Sequence, residues 1–171
     1  MPRRDRCLLP GVACHVTQRG VDRRETFSAD ADRETYLSLL RQNREDAGVG
    51  LLAWCLMTNH IHLIAIPDRE DSLAVLLRRV HGRYAQYYNA RYGRSGHLWQ
   101  NRYFACSLGP GHLWAALAYV EMNPVRGAGE ASRRLSLVQR GRTFGTSEHG
   151  RVGGYGLVAK GVRWGGLGAG W

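Results

Sequence analysis

His60 and His62 stand two residues apart in an apolar run, His60-Ile61-His62-Leu63-Ile64-Ala65-Ile66. On a β-strand this spacing turns both imidazoles to one face and Ile61, Leu63 and Ala65 to the other. A neutral imidazole pair is a ready metal-binding unit. Two strand histidines that only hydrogen-bond would carry the same pattern. Tyr119 and Asn123 are four apart and share a helix face. The phenol is a candidate nucleophile, and the amide oxygen is a neutral metal ligand. A core tyrosine followed by an Asn-Pro helix stop reads equally well. A third group, Arg94-Ser95-Gly96-His97-Leu98-Trp99-Gln100-Asn101-Arg102-Tyr103, mixes basic and aromatic side chains that could hold phosphates and stack bases. Its plain alternative is a loop entering a strand, with Trp99 in the core.

The elements that must position these groups follow from periodicity. Val12 to Arg19 alternates and is rich in β-branched residues, which predicts a strand. Ser28 or Asp30 caps a helix reaching about Ala47, and Gly48 and Gly50 end it. Leu51 to Met57 and His60 to Ile66 form a hairpin around Thr58-Asn59, stopped by Pro67. Ser72 starts a second helix to about Asn89, with Leu73, Leu76, Leu77, Val80, Tyr84, Tyr87 and Tyr88 near helical spacing. Leu98 to Ser107 is read as a fourth strand. A third helix, from about His112 to Met122, ends at Pro124. The order β-α-β-β-α-β-α predicts an α+β fold: a ferredoxin-like antiparallel sheet with packed helices, the third helix carrying Tyr119.

Bulk composition bounds the function classes. The 171 residues suit one domain and a tail. The net charge is +10, and Lys160 is the only lysine, so the excess is arginine, which grips phosphate with paired hydrogen bonds. A polyanionic partner is implied, nucleic acid first. Cys7, Cys14, Cys55 and Cys106 form no C-x-x-C pair and argue against a structural zinc site or a disulfide framework. The charged start, Met1 to Arg6, is no signal peptide, and no run is long enough to span a membrane, so a cytoplasmic location is expected. From Gly127 onward glycine is dense, and seven basic residues stand against two acidic ones. We therefore expect a folded domain over 1–130 and a basic, Gly/Arg-rich, flexible tail over 131–171.

Taken together, the motifs resemble the REP-associated tyrosine transposases, a branch of the HUH single-strand transposase superfamily with an IS200-like domain. The likeness rests on His15-Val16-Thr17-Gln18-Arg19-Gly20, Leu56-Met57-Thr58-Asn59-His60-Ile61-His62-Leu63, Tyr92 to Gln100, and Tyr119-Val120-Glu121-Met122-Asn123-Pro124-Val125-Arg126, in that order and spacing. The resemblance implies that His60, His62 and Asn123 hold a divalent metal, Mg²⁺ or Mn²⁺, and that Tyr119 is the nucleophile. It further implies cleavage of single-stranded or hairpin DNA through a 5′-phosphotyrosine. Arg19, Arg23, Arg24, Arg78, Arg79, Arg83, Arg94 and Arg102 are candidate phosphate contacts, and Trp99 a candidate base contact. A domesticated relative that binds hairpin DNA without cutting is the alternative. An RNA-binding domain with the same sheet topology lacks its aromatic signature here.

Overall fold

The computed structural model describes residues 8–126, with side chains as far as 122. Four antiparallel strands lie in the order β2-β3-β1-β4: β1 Cys14–Arg19, β2 Val49–Leu56, β3 His60–Pro67 and β4 Phe104–Ser107. The helices are α1 Asp30–Arg44, α2 Ser72–Arg91 and α3 Pro110–Arg126. This is the expected β-α-β-β-α-β sheet with one further helix. The 131–171 segment lies outside the described residues.

The helices take opposite faces of the sheet. Tyr36, Leu37 and Leu40 of α1 and Leu73, Leu76, Leu77, Val80 and Tyr84 of α2 are buried with Cys14, Val16, Ile61, Leu63 and Ala65. On the reverse face, Leu113 and Val120 of α3 are buried with Ala13, Ala53, Cys55 and Ile64. The period of two in β3 therefore does two jobs. It sends Ile61, Leu63 and Ala65 to the α1/α2 core, and His60, His62 and Ile64 to the α3 side.

A β-bulge in β2 makes the second core. Leu51 pairs with Ala65 and Ala53 with Ile64, so Leu52 is the extra residue. Val49 and Leu51 face α1 and α2, whereas Ala53 and Cys55 face α3. Without the bulge all four would share one face.

Several boundaries differ from the sequence reading, each for a local reason. Helix α1 begins after Ala29, and neither Ser28 nor Asp30 caps it. The Asp32 carboxylate instead accepts the backbone N–H groups of Ser28 (2.9 Å) and Ala29 (2.8 Å). Gly48 closes the connection to β2 at φ +65, and Gly50 lies within the strand. The fourth strand is shorter than expected, Phe104–Ser107 in place of Leu98 to Ser107, because Asn101 adopts φ +54 and turns the chain out of the sheet. Helix α3 starts at Pro110, where a missing N–H costs nothing. It continues through Pro124 to Arg126, since a proline in the last turn removes one hydrogen bond without stopping the helix. Cys14 and Cys55 are buried as expected of apolar residues, but Cys106 is exposed on β4; all three are free thiols.

Candidate active site

The histidine pair sits where β3 crosses under α3. Thr17 lies opposite His62 in the register and Arg19 opposite His60, so His15 is the diagonal neighbour of His62. The His60 and His62 ring centroids are 5.0 Å apart at 76°. Tyr119 reaches the pair from α3: its ring meets His62 edge-on at 5.7 Å and His15 at 6.2 Å. Val120, the next residue, is fully buried and fixes the rotation of the helix, leaving Tyr119 42% exposed. The nucleophile candidate is thus anchored by its neighbour and open to a large substrate.

Hydrogen bonds set the state of each imidazole. Asn59 Nδ2 donates to the Arg23 carbonyl (3.0 Å), so Asn59 Oδ1 is the acceptor for His60 Nδ1 at 2.7 Å. The His60 proton is therefore on Nδ1 and the Nε2 lone pair is free. His62 Nδ1 lies 2.9 Å from His15 Nε2, with the two rings stacked 5.2 Å apart at 16°. When His62 is the donor, its Nε2 is free as well. Burial lowers the pKa of His15. Burial, then the Arg19 charge, lowers that of His60. Burial, then His60 and His15, pushes His62 down to about 4. Each shift favours the neutral ring.

The donor set fits a divalent cation. Two imidazoles bound to one ion at about 2.1 Å through nitrogen hold their centroids roughly 4.5–5.2 Å apart, which brackets the observed 5.0 Å. Each ring hydrogen-bonds through its other nitrogen, as ligating histidines do. Among the described residues no three His, Cys, Asp or Glu side chains form a metal-holding group. Asn123 lies on α3 one turn beyond Tyr119; its side chain lies outside the described ones.

An open groove of about 580 Å³ runs from the pair across the sheet edge, lined by Arg19, Arg23, Asn59, His60, His62 and Arg102 among others and, among the described residues, by no carboxylate. Arg19 Nε donates to Gln100 Oε1, which fixes one wall. Gly20 makes the sharp exit from β1: a Cβ there would collide with the Arg24 carbonyl oxygen and lie 2.8 Å from Thr26 Cγ2. Asp22 and Arg23 follow at φ +51 and +58.

Of the sequence-predicted contacts, the structure brings Arg19, Arg23 and Arg102 to the groove. Arg24 and Arg83 do not line it, and Arg94 lies over the Tyr88 ring, 5.7 Å from its centroid. Trp99 packs against the main core and stacks on His81 at 4.5 Å, outside this groove. Sequence reasoning gave no role to His15, Asn59, Gln100 or Phe104. Asn59 could have been found by adjacency to His60. His15 required the β1–β3 register.

A known structure shares the fold. A REP-associated tyrosine transposase bound to a REP hairpin aligns with a TM-score of 0.59 at 17% identity over 74% of each chain. A candidate transposase of Deinococcus radiodurans R1 aligns with a TM-score of 0.49 at 16% identity, over 71% of this chain and 97% of that one. No curated protein matches. The family model described as "Transposase IS200 like" matches residues 10–123, which spans β1 to α3 and both histidines and Tyr119: the chain belongs to the IS200-like transposases.

Proposed function

We propose that this transposase cuts single-stranded or hairpin DNA by attaching Tyr119 to the broken strand, in the manner of the REP-associated branch. The observation that carries the reading is the convergence of Tyr119 from α3 on His62 from β3, with ring centroids 5.7 Å apart. Their separation of 57 positions in the sequence is closed only by packing α3 on the sheet.

The groove residues bind and orient the strand. Arg19, Arg23 and Arg102 hold backbone phosphates along it. Tyr119 Oη attacks the scissile phosphorus; its phenolic proton leaves to water. The bond from phosphorus to the 3′-oxygen breaks, and that oxygen takes up a proton. A 5′-phosphotyrosine and a free 3′-hydroxyl result, and a later 3′-hydroxyl can reverse the step. His60 and His62, with Asn123 as the oxygen donor, would hold Mg²⁺ or Mn²⁺. When bound, such an ion supplies Lewis-acid stabilisation of the phosphate charge. Asn59 keeps His60 in the donor tautomer, and with His15 Nε2 as the acceptor His62 is held the same way.

The test is a denaturing gel of protein mixed with end-labelled hairpin DNA from repeats flanking the coding sequence, with Mn²⁺ or Mg²⁺. A covalent protein–DNA band is expected that Tyr119→Phe and His62→Ala abolish and EDTA prevents. Tight binding without any adduct in either metal would replace this reading by that of a hairpin-binding protein.

A further inference from the structure

The turn that shortens β4 opens a second groove on the opposite face. Pairing between β1 and β4 runs from Cys14–Ser107 to Thr17–Phe104 and resumes at the Gly20–Trp99 bridge. Between them, 101–103 leave the sheet at the level of Gln18. The catalytic groove lies on the α3 side of this interruption. On the α2 side lies a cleft of about 510 Å³ between α2 and 96–103. Leu77, His81, Gly82 and Ala85 form one wall, Trp99 and Arg102 the other, with Arg78 at the rim. Among the described residues no carboxylate lines it.

Gln18, Asn101 and Arg102 line both grooves, so the two meet at the sheet edge. Gln18 is 5% exposed. Its Nε2 donates to the carbonyl oxygens of Gln100 (2.8 Å) and Arg19 (3.3 Å), which fixes the amide orientation. Its Oε1 is a buried acceptor with no partner among the described residues.

We propose that the α2-side cleft takes an unpaired nucleobase of the strand whose backbone lies in the catalytic groove. This rests on the DNA-cleaving reading above. The strand crosses the sheet edge over Asn101, with Arg102 and Arg78 on its phosphates. The base enters beside the Trp99–His81 stack. A donor N–H on the base, whether an exocyclic amino group or a ring N–H, can reach Gln18 Oε1 after a small shift. The cleft's aromatic wall, its positive rim and its continuity with the first groove favour a nucleotide over an apolar peptide.

Gly82 supplies the test, because it lines the cleft and a Cβ there meets nothing within 4 Å, which leaves room for a side chain to grow into the cleft. Fluorescence anisotropy in EDTA would measure binding of a hairpin with a single-stranded arm, intact and with an abasic site moved along the arm. One abasic position should weaken wild-type binding about tenfold, the size of one stacked base. Gly82→Leu should weaken binding of the intact DNA equally and abolish the effect of that abasic site. Photo-crosslinking of iodouracil-substituted arms to wild-type protein should label peptides within 96–103. This second measurement stands even if Gly82→Leu folds poorly. Binding unaffected by Gly82→Leu, with crosslinks confined elsewhere, would overturn the cleft alone. Absence of any DNA binding would overturn it together with the reading it rests on. Adduct formation by Tyr119 plays no part in either assay.

Discussion

Removing the His15 imidazole tests whether the His60–His62 pair, with His15 bonded behind His62, is a metal centre or a packing accident. His15 Nε2 is the partner of His62 Nδ1 at 2.9 Å. In His15→Ala that ring nitrogen loses its partner in a half-buried site, a cost of about 1–3 kcal/mol. Loss of an outer hydrogen bond to a ligating histidine weakens metal binding by about 10–100-fold, which is roughly 1.4–2.7 kcal/mol. The two figures overlap, so a fall in Mn²⁺ affinity of at least about tenfold is expected. His15→Gln can accept the same proton through its amide oxygen and should recover most of it. The assay is a titration of Mn²⁺ followed by the electron paramagnetic resonance signal of the free ion, with His62→Ala as the null. At saturating Mn²⁺ the His15→Ala protein should still form the Tyr119 adduct. The reasoning fails if His15→Ala binds Mn²⁺ as wild type does while His62→Ala does not bind.

Three further outcomes follow from the geometry. Gly20→Ala forces the 20–26 turn to shift and should cost about 1–3 kcal/mol in urea unfolding, with weaker DNA binding because Arg19 and Arg23 flank that turn. Val120→Ala should cost about 1.5–3 kcal/mol and slow adduct formation more than it weakens DNA binding, because Val120 sets the rotation that aims Tyr119. Burial pushes His81 down to about 3, with the Tyr36 hydroxyl 2.9 Å from its Nε2. Its folded pKa lies below the ordinary value near 6.5, so the unfolded chain binds more protons. The stability this contributes is complete above about pH 6.5 and is lost as pH falls towards 3. At pH 5 the loss is about 1–2 kcal/mol; His81→Phe should flatten the stability profile between pH 7 and 5 by that amount, and an unchanged profile would refute the assignment.

The sequence by itself determined the sheet and the two helices on one face. Ile61, Leu63 and Ala65 alternate with His60, His62 and Ile64, and a period of two leaves each set only one face to occupy. The stripe from Leu73 to Tyr84 likewise left α2 one way to bury itself. Tyr119 and Asn123 were legible as neighbours on one helix, since helical spacing is local. What lay beyond local pattern was decided by tertiary structure. The bulge at Leu52 cannot be read from Leu51-Leu52-Ala53, because an apolar run has no alternation to break. The run Leu98 to Ser107 has aromatic and apolar residues on both sides of Gln100-Asn101-Arg102, and only pairing with β1 shows that Asn101 turns out of the sheet and opens a groove on each side. Trp99 looked like a groove residue by its basic neighbours; packing set it against the core, in the wall of the α2-side cleft and outside the catalytic groove. His15 is 47 positions from His62, and nothing in either neighbourhood joins them. Their contact exists because β1 lies beside β3 in one register, and a shift of one residue would turn His15 to the other face.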